Sequence, residues 1–119
     1  MNRDIKHIAP EATLLEASRR MRDDRIGSLL VRRGEEYVGI LSESDIVRKG
    51  IAEGRDMSMV AVESAMTRPI ISIDVKKSAE DANALMGEKG IRHLAVTEND
   101  RIIGVLSVRD LLVYFKNRF

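Results

Sequence analysis

Apolar and polar positions follow one another in two rhythms, and the whole succession occurs twice along the chain. Ile5 to Ile8 reads as a short extended run, ended by Ala9-Pro10. Thr13 and Glu16 then stand at the spacing of a capping box, and behind them Leu14, Ala17 and Met21 recur at helical intervals. This predicts a helix over about 14–24. Ser28 to Arg32 and Tyr37 to Leu41 are aliphatic runs parted by a turn at Gly34, which predicts a strand pair. A second helix is expected from Ser42 to about Gly50, its apolar side made of Ile46, Val47 and Ile51. Gly50 to Asp56 is polar and linker-like, and Met57 to Met66 is apolar enough to predict a short connecting helix stopped by Pro69.

The succession then repeats. Ile70 to Ile73 is extended, Ser78 and Asp81 form a second capping pair, and Ala82, Leu85 and Met86 lie on a helix that ends near Gly90. Arg92 to Thr97 and Arg101 to Leu106 are the second strand pair, turning at Glu98-Asn99-Asp100, and a last helix runs from Ser107 to about Lys116. Each half reads β-α-β-β-α. The two halves share a phrase, Gly39-Ile40-Leu41-Ser42-Glu43-Ser44-Asp45 and Gly104-Val105-Leu106-Ser107-Val108-Arg109-Asp110, at an offset of 65 residues that holds without a gap. Met1 falls on Met66, Ile8 on Ile73, Ala17 on Ala82, Leu29 on Leu94 and Val31 on Val96. An ungapped internal repeat governs any reading of the fold.

The expected organisation is repeat 1 over residues 1–54, a connecting segment over 55–65 and repeat 2 over 66–119. The fold class is α/β in the broad sense (α+β). One copy alone leaves an apolar sheet face uncovered, so the two copies are expected to pack face to face about a pseudo-twofold axis. The crevices between them are the natural binding places.

Composition narrows the function. At 44% hydrophobic and 33% charged the chain has an ordinary globular balance, and with few aromatic residues the core must be aliphatic. The net charge of +1 is evenly spread, which argues against a nucleic-acid or membrane surface. There is no cysteine, hence no disulfide, thiolate metal site or thiol nucleophile. His7 and His93 are the only histidines, and neither has a carboxylate at metal-ligand spacing. No general base is matched with a nucleophile, so no catalytic residue, catalytic cofactor or metal is expected. The polar start of the chain is unlike a signal peptide, and a cytoplasmic location is the default. The second copy is preceded by the apolar stretch Val60 to Ala65, whereas the first begins at Met1. A free-standing protein and a module of a longer one both fit.

Two β-α-β-β-α copies, each ending in Gly-apolar-apolar-Ser-x-x-Asp, resemble a pair of CBS domains, the Bateman module. Gly90-Ile91-Arg92-His93-Leu94-Ala95-Val96 is similar to the family's strand phrase, and Met66-Thr67-Arg68-Pro69-Ile70 to its opening phrase. The resemblance covers residues 1–119. It implies a regulatory module, not an enzyme, that binds an adenosine-containing ligand (AMP, ADP, ATP or, in some members, S-adenosylmethionine) and associates as a dimer.

The resemblance also implies a role for particular residues. Asp110 would accept hydrogen bonds from ribose hydroxyls, Ser107 would offer its hydroxyl to phosphate, and Arg92 and His93 would contact phosphates with help from Arg109. Val105, Ile5, Lys6, Ile26 and Gly27 would wall this preferred site. A second site would gather Asp45, Ser42, Ser44, Ile40 and Ser28 with Thr67, Ile70, Ile71 and Ile91. It lacks a basic pair of its own, because Gly27 and Ser28 stand where the second copy has Arg92 and His93. Each feature has a plainer account as well. Ser-x-x-Asp caps a helix with no ligand present, a lone arginine is commonly solvated, and a lone histidine is commonly a satisfied, partly buried one. Ile46, Val47, Leu111, Leu112 and Phe115 give two aliphatic helix faces at matching positions, where a homodimer, as the resemblance implies, or a partner protein is expected. The competing function is an interaction module whose crevices stay empty.

Overall fold

The computed structural model describes Met1 and residues 3–118. The chain forms two compact units, and they do not divide where the sequence repeats do. The first unit is Lys6–Ile70, and the second joins Met1–Ile5 to the chain from Ile71 onward. The opening phrase of repeat 2 therefore folds with repeat 1. Its backbone explains why, since Ile40 and Thr67 exchange both hydrogen bonds at 3.0 and 2.8 Å in an antiparallel bridge. That bridge ties Thr67 to β3, and residues 66–70 group with the first unit.

The first unit holds β1 (His7–Ile8), α1 (Leu14–Asp24), β2 (Ser28–Arg33), β3 (Glu36–Ser42) and α2 (Glu43–Ile46). The second holds β4 (Ser72–Asp74), α3 (Ala79–Lys89), β5 (His93–Glu98), β6 (Arg101–Ser107) and α4 (Val108–Arg118). Each has one three-stranded sheet, β1-β2-β3 or β4-β5-β6, parallel at the first pair and antiparallel at the second. The two sheets share even their irregularity, for β2 slips register after Val31 and β5 after Val96, its counterpart. The β-α-β-β-α reading of each half is the observed order.

Local signals set the helix starts and ends. Thr13 accepts from Glu16 N–H at 3.1 Å, and Ser78 and Asp81 form both halves of a capping box. The helices close on left-handed residues, Arg25 after α1 and Gly90 after α3; at Gly90 the missing Cβ removes the strain of a φ of 65°. Leu14, Ala17 and Met21 turn one face of α1 onto Leu29, Val31 and Leu41 of the sheet. Ala82 and Met86 of α3 do the same against Leu94 and Leu111.

Two expected helices differ. The stretch after Ser42 is α-helical only through Ile46, then widens to a π turn over Val47–Ile51. Buried Gly50 sits in that turn, and a Cβ there would meet Met57 Cε at 2.8 Å and Leu14 Cδ1 at 3.1 Å. The segment Met57 to Met66 is not a connecting helix but a set of turns with one 3-10 turn at Val62–Ser64. Its backbone is spent elsewhere. The carbonyls of Val60 and Met57 accept from Leu14 and Leu15 N–H at the start of α1, both at 2.9 Å, and Val62 N–H donates to Ala12 at 2.7 Å. The first two bonds satisfy α1 donors that a helix start leaves without a partner. Ahead of them, the Ser58 hydroxyl bonds the Asp56 carboxylate and holds its pKa below the usual range.

Gly39 is fixed by the bridge above it. A Cβ there would stand 2.6 Å from Met66 Sδ and 3.1 Å from the Thr67 carbonyl oxygen. Gly39→Ala is expected to cost about 2 kcal/mol, the scale of an overpacked core. Urea unfolding of the two proteins measures it, and Gly34→Ala, in open space but at a φ of 61°, separates crowding from backbone strain.

Candidate functional site

The Ser-x-x-Asp phrase builds the same joint in both units and leaves its carboxylate in two different states. In the first unit β3 ends on Ser42 and α2 begins. Ser42 Oγ accepts from Asp45 N–H at 3.2 Å, and Asp45 Oδ2 accepts from Ser42 N–H at 3.0 Å. In the second, Asp110 N–H donates to Ser107 Oγ at 3.1 Å, and Ser107 N–H to Asp110 Oδ2 at 2.9 Å. The capping role is therefore real in both units. What differs is the rest of each carboxylate.

Asp45 also accepts from Ser42 Oγ at 3.1 Å and from Thr67 Oγ1 at 3.1 Å, and it pairs with Lys49 Nζ at 3.1 Å. Lys49 is one helical turn further on and bonds the Ala65 carbonyl at 3.0 Å as well. A carboxylate offers about four lone-pair directions, and these four donors take them up. The Asp45 side chain is 11% exposed, against 38% for Asp110. Asp110 has the amino group of Met1 at 4.0 Å, and no lysine stands one turn on, because Tyr114 occupies the position of Lys49. An open carboxylate can still accept hydroxyl hydrogens, and a saturated one cannot without losing a bond.

Around Asp110 the second unit gathers part of the expected set. His93 opens β5 directly opposite Ser107, the last residue of β6, and opposed residues of an antiparallel pair share a face. Val108 N–H donates to the Arg92 carbonyl at 2.8 Å, which fixes Arg92 at the same sheet end with its side chain exposed, as is that of Arg109. Val105 pairs with Ala95 two positions into the sheet. Of the N–H groups at the start of α4, those of Val108 and Asp110 are taken by protein oxygens. The Ser107 hydroxyl and the Arg92 and Arg109 side chains stand at this end of the sheet.

Of the residues expected to wall this site, Ile5 belongs to the second unit, while Lys6, Ile26 and Gly27 belong to the first. The first unit brings Ser28 opposite Ser42 and Ile40 beside Thr67, with Ser44 half-buried on α2 and Ile70 at the unit's end. Ile71 and Ile91 lie in the second unit, packed against its core. The expected contact faces also sort themselves. Ile46 and Leu111 are core residues, 6% and 3% exposed, and Phe115 packs against the second core. Val47 and Ile51 remain outside on the first unit, and Leu112, Val113 and Tyr114 on the second.

Sequence reading missed Lys49, although Asp45 and Lys49 stand at the i, i+4 spacing of a helical ion pair. It also missed a cavity of about 230 Å³ in the second unit, which runs from Asp110 and Tyr114 on α4 to Lys77, Ser78 and Ala79 at the start of α3. This is below the roughly 300–1,000 Å³ that encloses a whole small ligand. Among the described residues no group of three or more His, Asp or Glu side chains is placed to hold a metal ion, and no helix is long and apolar enough to cross a membrane.

Compared with known proteins, the chain matches the CBS domain model over residues 1–51 and again over 62–117. An uncharacterized protein of Methanopyrus kandleri is 32% identical over 112 residues, 92% of this chain and 57% of that protein. The chain thus spans little more than half of that relative. The solved structure of an uncharacterized conserved protein from Pyrococcus horikoshii superposes with a TM-score of 0.92 at 31% identity, covering 100% of this chain and 90% of that one. A hexameric CBS-CP12 protein from bloom-forming cyanobacteria superposes with a TM-score of 0.86 at 28% identity, over 94% of this chain and 66% of that one.

Proposed function

Because the chain belongs to the CBS-domain family, whose paired domains are generally regulatory and ligand-binding modules, we propose that it is a sensor of an adenosine-containing ligand, read at the start of α4. The observation that carries this is the open carboxylate of Asp110. It is oriented by the Ser107 N–H, yet its side chain is 38% exposed, so it can take two ribose hydroxyl hydrogens while keeping its cap. Ser107 and His93 share a face beside it. A hydroxyl donor, an imidazole and the neighbouring Arg92 and Arg109 guanidiniums suit a phosphate chain, since guanidinium and phosphate make paired charge-assisted bonds. That polarity favours AMP, ADP or ATP over S-adenosylmethionine, whose sulfonium end would meet the basic residues. The adenine itself comes from the family resemblance. The proposed role is binding.

Asp45 has no such freedom, and the reading assigns it to structure. One ligand per chain follows. The test is a calorimetric titration with AMP, ADP, ATP and S-adenosylmethionine on the natural chain and on Asp110→Ala. Saturable heat with one of them, at one equivalent per chain and lost in the variant, is the expected result. No heat from a folded sample with any of the four contradicts the reading.

That second outcome favours a module that only associates. Its own support is the exposed apolar set Leu112, Val113 and Tyr114 on α4, with Val47 and Ile51 after α2. The CBS-CP12 neighbour is hexameric, and a homodimer through these helix faces is the form proposed for this chain.

A further inference from the structure

Of the four donors on Asp45, Lys49 alone carries charge, and its ammonium is held at a second point. It stands 3.1 Å from Asp45 Oδ1 and donates to the Ala65 carbonyl at 3.0 Å. Ala65 closes the 3-10 turn Val62–Ser64, where a carbonyl lacks a partner within its own turn. The main chain that carries Lys49 is pinned as well. The Arg55 guanidinium donates to the Lys49 carbonyl at 3.2 Å, and Ala52 N–H closes the π turn onto Val47 at 2.8 Å. Lys49 and Thr67 thus share Oδ1, while the N–H and hydroxyl of Ser42 share Oδ2. The two hydroxyls are rotors and can turn to another acceptor. The ammonium is drawn by opposite charge to a side chain only 11% exposed, where salt screens little. It is the donor that stays.

In the second unit α4 runs without a π turn, and the residue four places after Asp110 is Tyr114. That spacing makes the two neighbours on one helix face, and a phenol brings no positive charge to the carboxylate. We propose that this fourth position decides which carboxylate can take a ligand. Lys49 is a built-in occupant that closes Asp45, and Tyr114 is the specificity-determining residue that leaves Asp110 available. The inference rests on the ribose-reading role proposed for Asp110. A lysine that served a ligand's phosphate instead would have the opposite effect when moved to the second unit, so the two roles are separable.

The test places lysine at the fourth position of the second unit and removes it from the first. Tyr114→Lys is titrated with AMP, ADP and ATP beside the natural chain, with Tyr114→Met as the uncharged reference. Binding by Tyr114→Lys is expected to be up to about fivefold weaker than by Tyr114→Met, the scale of one exposed ion pair. In Lys49→Met the amides of Ser42 to Asp45, still in the natural chain, are expected to shift on titration. Equal or tighter binding by Tyr114→Lys overturns the proposal and leaves the ribose reading standing. Amides of Ser42 to Asp45 that stay still in Lys49→Met do the same. Loss of binding in Tyr114→Met would make the phenol itself a ligand contact and would also overturn it. No binding by the natural chain removes the ribose reading, and this inference with it.

Discussion

Replacing Asp45 by alanine is expected to lower the stability of the chain by about 2–3 kcal/mol, a value set by bonds to an ionised group in a mostly buried place. Four donors lose their acceptor at once. Thr67 and the Ser42 N–H sit in part-buried surroundings and cannot turn fully to water. Lys49 is 45% exposed and can, which is why the figure stays below that of a fully buried ion pair. Asp110→Ala loses the matching cap and little else, so about 1 kcal/mol is expected. Urea unfolding of the two variants side by side reads the difference. Equal losses would mean that the two carboxylates carry equal structural weight, contrary to their surroundings.

Leu41→Ala and Leu106→Ala form a second contrast at equivalent positions. Leu41 is fully buried under α1 and the connecting segment, so its truncation leaves a closed void and is expected to cost about 4 kcal/mol. Leu106 lines the cavity of the second unit and is only partly buried. Less surface returns to water there and no sealed void forms, so about 2 kcal/mol is expected. Thermal or urea unfolding measures both. A Leu106→Ala loss as large as that of Leu41→Ala would mean that Leu106 is as fully buried in solution as Leu41.

Much of the fold was legible because its signals are local. Thr13 and Ser78 mark helix starts, Gly90 a helix end, and the constant offset carries β1 through α2 onto β4 through α4. The connecting segment was misread for the opposite reason. Met57 to Met66 has an apolar content that suits a helix, but the carbonyls of Val60 and Met57 serve Leu14 and Leu15, more than 40 residues earlier in the chain, and no window of periodicity contains that demand. The exchange of Met1–Ile5 and residues 66–70 between units is hidden likewise, since Thr67 finds Ile40 through the tertiary fold. At the candidate site the sequence makes Asp45 and Asp110 look equivalent. Only Lys49 against Tyr114 at the fourth residue on, and Thr67 from a distant segment, separate a structural carboxylate from an available one. The apolar faces were half legible in the same sense: spacing finds Ile46 and Leu111, and packing decides that these turn inward while Val47 and Leu112 stay out.

The distinction between the two carboxylates is tested most directly by an amide-resolved NMR titration of the natural chain with AMP, ADP, ATP and S-adenosylmethionine in turn. The account predicts, for one of these ligands, saturable shifts at His93 and Ser107 to Asp110, with Ser42 to Asp45 unmoved. Shifts centred on Ser42 to Asp45, or equal shifts at both helix starts, would contradict it.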